Sequence, residues 1–135
     1  MKFLIAWVLF LAPVLSYAQT NKLQEKDYSD YIQQLIGGER EYKVHSGRVD
    51  LLTEEYAFEI EWAAKWKESI GQSLWYALQT NRKPGIILIR RSSNEYKYFQ
   101  MLNSTLEFSG LNDKIKVFLF PDDFEDLIKQ SPKIK

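Results

Sequence analysis

Residues 47–80 constrain the fold most, because acidic and apolar residues alternate there as they do in paired strands. A two-residue turn at Glu54-Glu55 would place Asp50 directly opposite Glu59. Side chains alternate between faces along a strand, so Glu61 shares the face of Asp50 and Glu59. Like charges opposed at roughly 5 Å are destabilising, so the pattern predicts a cation between the carboxylates. The opposite face takes the apolar side chains Val49, Leu51, Phe58 and Ile60.

A second hairpin is predicted just before the first, with its turn at Ser46-Gly47. This turn would place Val44 opposite Val49 and Lys43 opposite Asp50. The face assignment then agrees with that of the first hairpin, since apolar residues again share one side of the sheet. On this assignment Tyr42 and Val44 join the apolar face, and Glu41 and Lys43 join the acidic face.

The rest of the chain alternates helical and strand patterns. Helical spacing predicts helices over 27–36, ended by a glycine pair, and over 65–80. An apolar run over 85–90 is typical of a buried central strand. The pattern over 95–108 favours a helix, with a strand continuation as the alternative. A strand over 114–120 and a helix over 122–129 are predicted after it. The predicted buried stripe of the 65–80 helix is Trp66, Ile70, Leu74, Ala77 and Leu78.

Composition excludes several kinds of site. The chain has 135 residues, which suits one domain, predicted over 19–135. Its 18 basic and 18 acidic residues balance, so bulk charge predicts no partner and a nucleic-acid site would have to be a local patch. Cysteine is absent, which excludes thiolate chemistry, and the single histidine, His45, argues against a zinc site or a serine–histidine–aspartate triad.

The N-terminal residues have the pattern of a secretory signal peptide. A basic start at Lys2 is followed by an apolar run over 3–15 and by small residues at Ser16 and Ala18. The run is short for a membrane span, which takes about 20 residues. The sequence therefore predicts a signal peptide over 1–18, cut after Ala18, and an exported protein, periplasmic or secreted. An uncleaved N-terminal anchor is the alternative.

Three short motifs occur in a fixed order in the first half of the predicted domain. They are Arg48-Val49-Asp50, then Glu59-Ile60-Glu61, then Gln72-Ser-Leu-Trp-Tyr76. With the helix and strand order, this set resembles the PD-(D/E)XK nuclease superfamily over residues 27–90, and the last motif looks like the Gln-x-x-x-Tyr element of its RecB-like branch. The resemblance implies an α+β sandwich with the restriction-endonuclease-like αβββαβ core, a mixed sheet flanked by helices.

The resemblance also implies a metal-dependent site. In that family the matching acids bind Mg²⁺ or Mn²⁺, here Asp50 and Glu59, with the Ile60 carbonyl as a further ligand. The sequence departs from the family at Glu61, which stands where the family usually has lysine. Glu61 could ligate the metal or act as a general base, and Lys65 could supply the missing positive charge. Gln72 and Tyr76 would orient the water or the nucleic-acid backbone; Glu41 or Glu39 would be the family's additional acid.

These residues predict an exported, metal-dependent nuclease. Lys43, His45 and Arg48 near the hairpin turn could contact phosphates. Nucleic acid, DNA in preference to RNA, is the expected partner; a homodimer is an expected assembly, and no membrane contact is expected after signal cleavage. Two alternatives remain open: a catalytically silent binding module that recognises a protein or envelope component, and a metal-binding structural domain. Any one of the acids alone is better explained as a solvent-facing sheet residue.

Overall fold

A computed structural model describes residues 22–131 of the chain, so the predicted signal peptide over 1–18 lies outside the described residues. No helix among residues 22–131 is long and apolar enough to cross a membrane. Short 3-10 turns precede the last three helices. The elements are α1 (Glu25–Ile36), β1 (Glu39–Val44), β2 (Gly47–Leu52), β3 (Tyr56–Trp62), α2 (Trp66–Thr80), β4 (Lys83–Ile89), α3 (Tyr96–Ser109), β5 (Lys116–Phe120) and α4 (Glu125–Gln130).

The five strands form one mixed sheet in the order β1-β2-β3-β4-β5. β1, β2 and β3 pair antiparallel, whereas β4 runs parallel to both β3 and β5. α2 and α3 provide the two crossovers that parallel pairing requires. The predicted α+β class, with its αβββαβ order and a mixed sheet flanked by helices, is therefore confirmed, and residues 96–109 form the helix rather than the strand continuation.

Helices cover both faces of the sheet, and β4 is buried on both sides. This double burial explains the unbroken apolar run Ile86–Ile89, in which alternate residues enter different cores. The core under α1 and α4 contains Ile32, Leu51, Phe58, Ile60, Ile87, Ile89, Phe120 and Phe124. The core under α2 and α3 contains Ala63, Trp66, Ile86, Leu88, Leu102, Leu106, Ile115 and Leu119.

The register of the β2–β3 hairpin agrees with the prediction. Leu51 pairs with Phe58, and beyond this pair a hydrogen bond between the carboxyl groups puts Asp50 beside Glu59. The predicted common apolar face of Val49 and Leu51 is wrong, because Leu51 enters the core under α1 whereas Val49 packs beside Tyr76 of α2. The turn closes because the Thr53 N–H donates to the Tyr56 carbonyl at 2.9 Å. The two acids therefore meet at neighbouring positions of adjacent strands.

The register of the β1–β2 hairpin differs from the prediction. Val44 pairs with Gly47 and Tyr42 with Val49, so the turn is His45-Ser46 and each partner shifts by two residues. The glycine that suggested the turn serves a different purpose. A Cβ at Gly47 would lie 2.8 Å from Cε1 of Tyr76, so glycine is needed there for the close approach of that ring.

The buried face of α2 is also displaced from the predicted stripe. Leu78 is 71% exposed, whereas Ser69 and Ser73 are fully buried. Their hydroxyls donate to backbone carbonyls of the same helix, which satisfies these polar groups without a partner across the interface. Small side chains at these positions bring α2 close to the sheet and turn Tyr76 toward β2 and β3.

Candidate functional site

Asp50 is held at its carboxylate and at its carbonyl. The Ile60 N–H donates to Asp50 Oδ2 at 2.8 Å, so the side chain takes the place of a strand partner where the β2–β3 ladder ends. The carbonyl oxygen of Asp50 accepts a hydrogen bond from Nη1 of Arg40. Burial raises the pKa of Asp50, and the bond from Ile60 opposes that rise.

Of the three clustered acids Asp50, Glu59 and Glu61, Glu59 has the most strongly raised pKa. It is 5% exposed, and its Oε2 is buried without a hydrogen-bond partner. Burial raises its pKa to about 10, with further contributions from the charge of Asp50 and from the hydrogen bond between the two carboxyl groups. Without a cation, Asp50 and Glu59 therefore share a proton at neutral pH, because two buried like charges in contact repel.

Glu61 interacts with a different set of residues from those around Asp50 and Glu59. Its Oε1 accepts a hydrogen bond from the Trp62 N–H at 2.9 Å. Burial raises its pKa to about 7, a hydrogen bond with Glu25 adds to the rise, and the charge of Lys65 opposes it. Glu61 and Lys65 are thus close enough to interact.

Glu25 was missed by the sequence reasoning. It lies in the first turn of α1, where an acid is expected simply because it interacts favourably with the helix dipole. Only the packing of α1 against β3 brings it beside Glu61. The local sequence contains no signal that distinguishes it from an ordinary helix-start acid.

Tyr76 approaches the carboxylate pair from α2. It is 9% exposed, and its hydroxyl oxygen accepts a hydrogen bond from the Arg48 N–H. Burial is the main cause of the raised pKa of Tyr76. The charges of Glu59 and Asp50 raise the pKa further, so the phenol is close enough to both acids to interact with them electrostatically. Gln72, one turn earlier on α2, is exposed to solvent.

The two candidates for an additional acid lie in different places. Glu41 has a left-handed backbone with φ of 57°, pairs with Arg40 and Arg48 at 3.6 Å each, and raises the pKa of Asp50. Its carboxylate is therefore at the edge of the cluster. Glu39 lines a separate surface groove with Glu54 and Arg82.

The predicted phosphate contacts lie together on the β1–β2 hairpin. Lys43 and Arg48 lie opposite each other on the paired strands β1 and β2. Both side chains are exposed, as is His45 in the turn. The Trp75 Nε1–H donates to the His45 carbonyl at 2.8 Å, which fastens the hairpin tip to α2. This exposed basic edge adjoins Tyr76, since Arg48 supplies the N–H bound by its hydroxyl.

A cation would be held chiefly by Asp50 and Glu59. Within residues 22–131, no group of three or more histidine, aspartate or glutamate side chains is arranged to hold a metal ion. The pair nevertheless fits a hard divalent cation, since Glu59 has a buried oxygen without a partner and Mg²⁺ often binds one or two carboxylates while keeping several waters. Glu61 and Glu41, also predicted as ligands, contact Trp62 and arginines instead.

The fold and the site define an α+β domain whose mixed sheet holds a buried glutamate in contact with a half-buried aspartate. No family model matches the chain, and no solved structure matches it. The chain is 32% identical over 76 residues to a KilA-N domain-containing protein of Acanthamoeba polyphaga mimivirus. The match covers 56% of this chain and 31% of that protein, so the chain spans less than a third of the relative's length.

Proposed function

We propose that this chain is a metal-dependent nuclease domain of the PD-(D/E)XK type that hydrolyses phosphodiester bonds. One observation supports this most strongly: the buried Glu59 lies in contact with the half-buried Asp50 on the adjacent strand, and one oxygen of Glu59 has no hydrogen-bond partner. Burying such a pair is unfavourable unless a proton or a cation lies between the two groups.

In this proposal Asp50 and Glu59 hold the cation, and the Ile60 carbonyl adds a ligand. A bound Mg²⁺ or Mn²⁺ would supply a water of lowered pKa and would neutralise charge on the scissile phosphate. Glu59 must release its proton for this binding, so the pair binds the cation more tightly as the pH rises. The Ile60 N–H keeps Asp50 Oδ2 directed along β3 throughout.

Glu61 is proposed as the general base. Its pKa of about 7 lies close to neutral pH, where a base accepts protons efficiently while remaining largely available. Glu25 beside it can share the accepted proton through the hydrogen bond between the two groups. Lys65, exposed in the 3-10 turn just before α2, would contact a phosphate and provide the charge that the family's lysine provides.

The proposed partner is nucleic acid, with DNA preferred to RNA. Tyr76 and Gln72 would orient the backbone, and the exposed cations of the β1–β2 hairpin, Lys43, His45 and Arg48, would contact phosphates. The KilA-N domain in the relative's name agrees with a partner of this kind, although the match covers only 31% of that protein. Export to the periplasm or medium and assembly as a homodimer are further parts of the proposal.

A catalytically silent binding module is the second candidate. Glu61 in place of the family's lysine favours it. A proton shared between Asp50 and Glu59 also favours it, because the pair can persist in the fold without any cation. The two candidates differ in whether the purified protein cleaves nucleic acid.

A cleavage assay with matched variants tests the nuclease. The mature protein should cut plasmid DNA, single-stranded DNA or RNA in Mg²⁺ or Mn²⁺, and Glu59→Gln should lower the rate by orders of magnitude. Glu54→Gln makes the same change on the exposed β2–β3 turn and should leave cleavage intact. A wild-type protein that cuts none of these substrates would favour the binding module, and undiminished cleavage by Glu59→Gln would refute the proposed site.

A further inference from the structure

Arg40 joins α1 to the backbone of Asp50. Its side chain is 12% exposed, and Nε donates to Asp30 Oδ1 of α1 at 3.1 Å. Nη1 of the same guanidinium donates to the Asp50 carbonyl. A single planar group therefore spans from a helix to the strand residue that faces Glu59, and arginine is suited to this because its donors are fixed in a rigid fork.

The need for this bond comes from a break in the β1–β2 ladder. Pairing runs from Glu39 to Val44 but omits the Glu41–Asp50 position, where Glu41 takes a left-handed backbone with φ of 57°. A partly buried carbonyl that lacks a strand partner is stabilised by another donor, and Arg40 supplies it. The carboxylate of Asp50 is anchored separately by the Ile60 N–H at 2.8 Å.

We infer that Arg40 is a positioning residue that, through its bridge to Asp30, fixes Asp50 at the spacing from Glu59 that a divalent cation requires. This inference rests on the proposed nuclease function, since it assigns a role toward the same cation. Groups that orient metal ligands typically change metal affinity 10–100-fold when they are removed. Arg40 itself touches neither the cation nor the substrate.

Mn²⁺ binding, followed by electron paramagnetic resonance of the free ion, is the direct test. Arg40→Met should weaken Mn²⁺ affinity about 10–100-fold. Arg40→Lys keeps the charge but cannot donate to both partners in the same geometry, so it should recover only part of the affinity. Lys26→Gln is the matched control, because it removes the other partner of Asp30, a 2.6 Å bond from a largely exposed lysine, and leaves Arg40 in place.

Folding is measured separately so that a structural effect is recognised. Urea unfolding in EDTA reports the stability of each variant without metal, and Asp30→Asn provides a milder loss of the bridge if Arg40→Met does not fold. Wild-type Mn²⁺ affinity in Asp30→Asn and Arg40→Lys would overturn the role of Arg40 while leaving the proposed function standing. A wild-type protein that binds no Mn²⁺ would overturn the proposed function and this role with it.

Discussion

Replacing Glu59 with glutamine should remove most of the pH dependence of folding stability above about pH 7, where Glu61 no longer titrates. The pKa of Glu59 rises from its ordinary value of 4.5 to about 10 in the folded protein. Glutamine has nearly the same shape, and its amide can donate to Asp50 as the protonated carboxyl group does. The variant therefore keeps the contact with Asp50 and removes the titrating group at position 59.

The sign and size of the effect follow from the raised pKa. Above pH 4.5 the unfolded chain loses the Glu59 proton while the folded chain retains it up to about pH 10, so stability is full below this window and falls as the pH rises through it. Each pH unit costs about 1.4 kcal/mol, hence about 3 kcal/mol between about pH 5 and about pH 7.5. Domains of this size are stable by only about 5–15 kcal/mol, so the loss should be easy to measure.

Urea unfolding in EDTA at several pH values between 5 and 8 is the assay. The free energy of unfolding of the wild type should fall with pH throughout. That of Glu59→Gln should fall less steeply below about pH 7, where Glu61 still titrates, and should stay nearly flat above it, with a smaller slope left by Asp50. Glu54→Gln should retain the wild-type slope, because Glu54 is an exposed turn residue. A wild type with constant stability, or a variant with the wild-type slope, would refute the assignment of a shared proton.

Three further predictions concern the cation, the packing of Tyr76 and the N-terminus. Millimolar Mn²⁺ should raise the Tm more at pH 8 than at pH 6, because the cation must displace the proton held by Asp50 and Glu59. Asp50→Asn should abolish the rise, and equal Tm shifts at both pH values would contradict the proton exchange. Gly47→Ala should destabilise the fold by about 1–3 kcal/mol in urea unfolding, because its Cβ would lie 2.8 Å from Tyr76. Gly71→Ala is the control and should not destabilise the fold, because a Cβ there meets nothing within 4 Å. Protein recovered outside the cytoplasm should begin at Gln19, and N-terminal sequencing that finds Met1 would overturn the cleavable signal.

The sequence alone was enough to predict most of the fold and the contact between Asp50 and Glu59 in the candidate site. The turn at Glu54-Glu55 predicted the β2–β3 register and the contact of Asp50 with Glu59, because the turn fixes which residues of the two strands face each other. Strict alternation fails within β2, where Leu51 enters the core under α1 and Val49 packs beside Tyr76 of α2. Helical spacing predicted α2 and α3, and the unbroken apolar run predicted β4. These are local patterns, and residues close in sequence carry them.

The tertiary structure alone decided which groups act on the pair. Glu25 and Arg40 come from α1 and β1, and only the packing of these elements against β2 and β3 brings them to the acids, whereas Tyr76 was already a candidate from the sequence. The register of β1 was mispredicted because Gly47 was interpreted as a turn residue, whereas it makes room for the ring of Tyr76. The raised pKa of Glu59 likewise depends on desolvation by distant parts of the chain, and local spacing contains no information about how much water the folded protein excludes.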